Sequence, residues 1–106
     1  MKLFIFSDLY KHKDAYSIFE GIEKQLTDVG YEIINPLKLA CTPKAKWYER
    51  MRIYIHSMME CDNMVLFGNY KRSKTCQFLI SNAITVRMKI ASVNWWLKKK
   101  ESVVSL

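Results

Sequence analysis

Eight consecutive residues, Gly68-Asn69-Tyr70-Lys71-Arg72-Ser73-Lys74-Thr75, bring together many of the groups in this chain that could hold a ligand. Lysine and arginine supply positive charge, serine and threonine supply hydroxyls, and glycine and asparagine suit a tight turn. An apolar run, Asn63 to Phe67, precedes them, and apolar residues at helical spacing, Cys76, Leu79, Ile80, Ala83 and Ile84, follow. A strand that delivers the chain to a helix through such a turn makes a seat for an anion, because the first N–H groups of a helix have no partners within it. Ser73 and Thr75 read either as caps for that helix or as contacts to a phosphate. Lys71, Arg72 and Lys74 read either as a solvated loop or as charge added to a helix end that is itself worth about 0.3 to 1 kcal/mol to an anion.

Other polar groups follow the apolar runs. Ser7 and Asp8 end the first, Asn35 ends the second, and Asp62 stands just before the third. Tyr10, Tyr70 and Trp47 could stack on a base or belong to the rim of a core. His12 and His56 have no Cys or His partner at metal-ligand spacing, so neither a metal nor a cofactor is expected. Cys41, Cys61 and Cys76 form no CxxC pair and read as small apolar residues in a reducing compartment.

Elements must gather these scattered groups. Residues 2 to 6, KLFIF, are apolar without alternation, as in a strand buried on both faces. Ala15, Ile18, Phe19, Ile22, Leu26 and Val29 recur at three and four, which predicts a helix over 14 to 29, stopped by Gly30. A second strand spans 31 to 35 and ends at Pro36. After a loop from Leu37 to Thr42, with Thr42 as cap and Pro43 at the first helical position, Trp47, Met51, Tyr54, Ile55, Met58 and Met59 trace a helix ending near Cys61. A third strand, 63 to 67, a third helix from Ser73 or Lys74, and a fourth strand, Lys89 to Val93, complete the pattern. Strands alternating with helices predict an α/β fold, a small doubly wound, flavodoxin-like or Rossmann-like parallel sheet of four strands in the order 2-1-3-4 with three helices. The domain is expected over 1 to 96, followed by a basic tail over 97 to 106. Such sheets bind ligands beyond the carboxyl ends of their strands, which would collect Ser7, Asp8, Asn35, the turn from Gly68 to Thr75, and Asn94.

At 106 residues the chain has room for one core. A net charge of +7 and a pI near 9.4 suit a polyanion or an anionic small ligand. Lys98, Lys99 and Lys100 hold part of that charge, so nucleic-acid binding is the weaker reading; no recognition motif accompanies it. No apolar run approaches the roughly 20 residues of a membrane span, and MKLFIF is too short for a signal peptide. The expectation is a cytoplasmic protein away from membranes.

KLFIFS at the start, GYEIINP at 30 to 36, Trp47-x3-Met51, MMECDNMVLF at 58 to 67, and the serine-bearing turn before the third helix together resemble the nucleoside 2-deoxyribosyltransferase superfamily. The likeness covers residues 1 to 93 and is nearest to the short domains of phages and prophages. It implies chemistry at an N-glycosidic bond, with a glutamate near the start of the helix after strand three attacking C1 of the sugar. The corresponding segment is Thr75-Cys76-Gln77-Phe78-Leu79, and Leu79 falls where that glutamate would stand. The superfamily's S-G-P after the first strand is Ser7-Asp8-Leu9, and its glycine at the helix start is Thr75. Asp62 matches an aspartate that helps orient ligand or nucleophile. The resemblance therefore implies a nucleotide-binding domain that has lost its catalytic group, one that could sequester its ligand. The alternative is a nucleoside or nucleotide N-glycosidase or deoxyribosyltransferase drawing its carboxylate from Asp8, Asp62 or a second subunit. The resemblance also implies a homodimer or higher homo-oligomer, with Trp95 and Trp96 either at the subunit contact or under the sheet edge.

Overall fold

The computed structural model describes residues 1–39 and 44–104, with side chains as far as Lys100. Four parallel strands, β1 (Lys2–Ser7), β2 (Glu32–Ile34), β3 (Asn63–Phe67) and β4 (Ile90–Ala91), form one sheet in the order β2-β1-β3-β4. The predicted architecture and strand order are both found. Four helices accompany them: α1 (Ala15–Asp28), α2 (Trp47–Met59), α3 (Lys74–Thr85) and α4 (Val93–Val104).

The unbroken apolar run of β1 is explained by two cores. Side chains alternate across a strand, so Phe4 and Phe6 enter one cluster with Met51, Tyr54, Met58, Cys76 and Leu79. Leu3 and Ile5 enter the other, with Phe19, Leu26, Tyr31 and Trp96. β3 divides in the same way, Met64 and Leu66 to the first cluster and Val65 to the second. Helices α2 and α3 thus cover one face, and α1 and α4 cover the other.

The helix ends follow local chemistry. Gly30, at φ +102°, closes α1 with Tyr31 N–H donating to the Leu26 carbonyl at 3.2 Å and Gly30 N–H to that of Thr27 at 2.9 Å, the paired bonds of a Schellman turn. The end of α3 repeats the pattern through Met88 to Ala83, at 2.9 Å, and Arg87 to Ile84, at 3.0 Å. There the left-handed position is held by Arg87, at φ +61°, instead of a glycine.

Three expectations need correction. The second helix begins at Trp47, later than the position given to Pro43, and Cys41, Thr42 and Pro43 lie outside the described residues. The fourth strand is confined to Ile90–Ala91, because Ser92 accepts from the Trp95 N–H at 3.2 Å and starts a helix. Residues 93–104, split in the sequence reading between a strand end, a tryptophan pair and a tail, form α4. Trp96 is fully buried beneath the sheet, with its Nε1–H donating to the Met64 carbonyl at 3.3 Å and its own carbonyl accepting from the Tyr31 hydroxyl at 2.7 Å. No helix among the described residues is long and apolar enough to cross a membrane.

Candidate functional site

Parallel strands bring the ends of β1 and β3 side by side, with Ser7 in register with Phe67. The two turns beyond are tied by one carboxylate. Asp8 Oδ1 accepts from the Asn69 N–H at 2.9 Å and from the Ser7 hydroxyl at 3.2 Å, while Ser7 Oγ accepts from the Leu9 N–H at 3.1 Å. Gly68 passes this knot at φ +78°, and a Cβ there would collide with Asp8 Oδ1 and stand 2.6 Å from Ser7 Oγ. Only glycine fits that position without displacing the tie.

The start of α3 spends its polar groups internally as well. Ser73 is the cap, its hydroxyl accepting from the Cys76 N–H at 3.1 Å. Thr75 is no cap. It is buried, and its Oγ1 accepts from Trp47 Nε1–H at 2.8 Å while sharing a hydrogen bond with the Tyr10 hydroxyl at 2.9 Å. Tyr70 lies partly against the core, with its carbonyl accepting from Gln77 Nε2 at 3.1 Å. Lys71 and Arg72 are exposed, and Lys74 Nζ sits 5.7 Å from the centre of the Trp47 ring.

Two predicted residues have structural roles elsewhere. Asn35 is buried and caps the 3₁₀ turn Pro36–Lys38, accepting from the Leu37 N–H at 3.0 Å and donating to Glu23 Oε1 at 3.1 Å. Asp62 precedes β3 and so stands at the amino edge of the sheet, the wrong edge for the site. Its Oδ2 accepts from the Lys2 N–H at 2.7 Å. A strand of five residues, about 16 Å at the usual rise, separates it from the turn after Phe67.

Beside the Tyr10-Thr75-Trp47 cluster a cavity of about 420 Å³ opens at the carboxyl edge, lined by Tyr10, Lys11, Leu37, Ala45, Trp47, Arg50 and Tyr54. Two strand ends and the amino end of α2 meet there. Among the described residues the lining holds three aromatic rings, two cations and no carboxylate. The residue preceding α2, Lys46, has no acceptor on its side chain and makes no capping bond. Among the potential stackers, Tyr10 and Trp47 are therefore wall residues; Lys11, Arg50 and Tyr54 were not singled out for a site. Their signal was present in the sequence, since Trp47, Arg50 and Tyr54 are spaced three and four apart and share a helical face.

Neither described cysteine offers a nucleophile. Burial pushes the Cys61 thiol up to about 11. It also raises that of Cys76, against an opposing hydrogen bond from Ser73. Leu79 is fully buried in the cluster under α2 and α3.

Fold and edge cavity together define a small doubly wound α/β domain whose strand ends open on an aromatic, cation-bearing hollow. Residues 1–92, β1 to the cap of α4, match the family described as a domain of unknown function (DUF4406), and the chain belongs to that family. No curated protein matches the chain.

Proposed function

We propose that the cavity at the carboxyl edge binds a nucleotide or nucleotide-derived anion without cleaving it, in a degenerate relative of the nucleoside 2-deoxyribosyltransferases. The observation that carries this reading is the lining itself. Tyr10 and Trp47 are partly exposed and offer ring surface for a base, Lys11 and Arg50 bring positive charge to the lining, and the amino end of α2 adds its own positive potential. This reading puts the anion on α2 in preference to α3, where Ser73 already holds the Cys76 N–H. A cavity of this size lies within the usual range for small-ligand sites.

Loss of chemistry follows from the carboxylates. Leu79 replaces the attacking group, Asp62 is at the far edge, and Asp8 Oδ1 is engaged by Asn69 and Ser7. The same reading carries a homo-oligomer, a cytoplasmic location and a phage-type role in sequestering the ligand. The test is a thermal-shift series with nucleosides, nucleoside phosphates and inorganic phosphate, run beside chromatography for free base. Stabilisation by the nucleoside phosphates, reduced in Lys11→Ala and Arg50→Ala, with no base released, is the expected result. No response to any of them defeats the proposal, and released base restores the glycosidase alternative.

A further inference from the structure

We infer that β4 and the outer face of α4 form a second site, which binds single-stranded nucleic acid through Trp95. This site is independent of the edge cavity and lies on the other side of the sheet, the side covered by α1 and α4. From Arg87 to Lys100 the chain carries five cations and no acidic residue. Within that stretch Trp95 is 38% exposed, a large fraction for an indole.

The ring is held in place from below. Trp95 meets the fully buried Trp96 edge to face, with centroids 4.8 Å apart and planes at 84°. Trp96 is anchored by its bonds to Met64 and Tyr31, and the Trp95 N–H is bound by Ser92. The exposed indole is thus fixed before any partner arrives, which lowers the ordering cost of stacking a base on it.

Cations surround it at short range. Lys89 Nζ lies 4.8 Å from the Trp95 centroid, and Lys99 Nζ lies 5.3 Å from it and 5.4 Å from that of Trp96. Lys98 is exposed beside them, whereas Lys100 turns away to cover the Tyr31 ring at 4.8 Å. Lys89 and Lys99 lie over the ring in the free protein, and a base that stacks there displaces them onto the phosphates, so that one place on a single strand meets both stacking and charge. Duplex has no unstacked base to offer it, and a membrane or an acidic protein would use the charge without the ring.

The full chain is titrated into a fluorescein-labelled oligothymidylate by anisotropy at several salt concentrations. With Lys89, Lys98 and Lys99 on phosphates, the expected slope of log affinity against log salt is about −2. Trp95→Ala weakens binding about tenfold with the slope unchanged, and Trp95→Phe retains much of the affinity. Lys99→Glu lowers both affinity and slope. Circular dichroism melts of each variant serve as the folding control. Equal affinity for Trp95→Ala and the wild type overturns the proposal, as does duplex DNA or a phosphatidylserine vesicle binding as well as the single strand. Loss of strand binding in Lys11→Ala would place the strand in the edge cavity and overturn it too.

Discussion

Thr75→Val removes one hydroxyl and keeps the side-chain shape, so it isolates what that oxygen does. Thr75 is 4% exposed, and its Oγ1 holds Trp47 Nε1 at 2.8 Å and the Tyr10 hydroxyl at 2.9 Å. A net hydrogen bond is worth about 0.5 to 1.5 kcal/mol. Trp47 is 38% exposed, so its N–H regains water and its bond counts at the lower end. Tyr10 is half-buried and counts nearer the middle. The expected destabilisation is about 1 to 2 kcal/mol, which lowers the melting temperature by about 5 to 10 °C for a domain of this size. Both aromatic walls of the cavity lose their common anchor, so the thermal shift produced by a nucleoside phosphate shrinks as well. Circular dichroism melts with and without ligand measure both effects. A cycle with Trp47→Phe separates the Trp47 bond from the rest, with a coupling of about 0.5 to 1 kcal/mol. If Thr75→Val melts with the wild type and responds equally to ligand, the oxygen is not the anchor and the walls are positioned by packing alone.

Gly68→Ala places a Cβ against Asp8 and Ser7 at a positive φ and is expected to cost about 2 kcal/mol or more by chemical denaturation; Asp8→Ala should recover part of that loss in the double variant. Leu79→Ala leaves a void in the cluster beneath α2 and α3 and should cost about 2 to 5 kcal/mol in the same assay, while Leu79→Glu, which restores a carboxylate, should fail to fold stably because the charge would be buried. For Cys61 the folded value of about 11 lies above the ordinary 9.0. The neutral thiol is favoured in the fold, so its stabilisation is complete below pH 9 and is lost as pH rises toward 11. Melting curves over that interval should fall more steeply for the wild type than for Cys61→Ala.

The sheet was legible because burial on both faces leaves an unbroken apolar run, as in KLFIF, and because helix ends announce themselves through residues such as Gly30 and Ser73. What misled was the chain after Ala91. Lys98 to Lys100 read as solvated charge, and the tryptophan pair gave no period of its own. The helix there is defined by tertiary contacts: Trp96 fills the core against Leu3, Ile5 and Val65, and Lys100 lies over Tyr31. Long basic side chains can cover apolar surface with their stems while the ammonium stays wet, so a lysine run does not exclude a packed helix. The helix start at Trp47 was hidden for a different reason, since Lys46 provides no capping signal to read.

The candidate site was legible in place but not in membership. Polar residues clustered after strands suggest a ligand, yet strand ends also expose backbone groups that the protein must satisfy for itself. Here Ser7 and Asn69 both bind Asp8, Asn35 caps a 3₁₀ turn, Ser73 caps α3, and Thr75 anchors two rings. No buried side-chain nitrogen or oxygen among the described residues is left without a partner. Charge at this edge stands instead against aromatic faces, Lys11 beside Tyr10 and Lys74 beside Trp47, while Arg50 lines the same wall. A cation over a ring keeps its charge and several N–H donors available, whereas a hydroxyl already bound on both sides has little left to give. Recognition at this edge should accordingly depend on charge and stacking far more than on the serines and threonines of the turn. Replacing Ser73 should then lower stability through the lost cap and leave the ligand response per unit of folded protein unchanged.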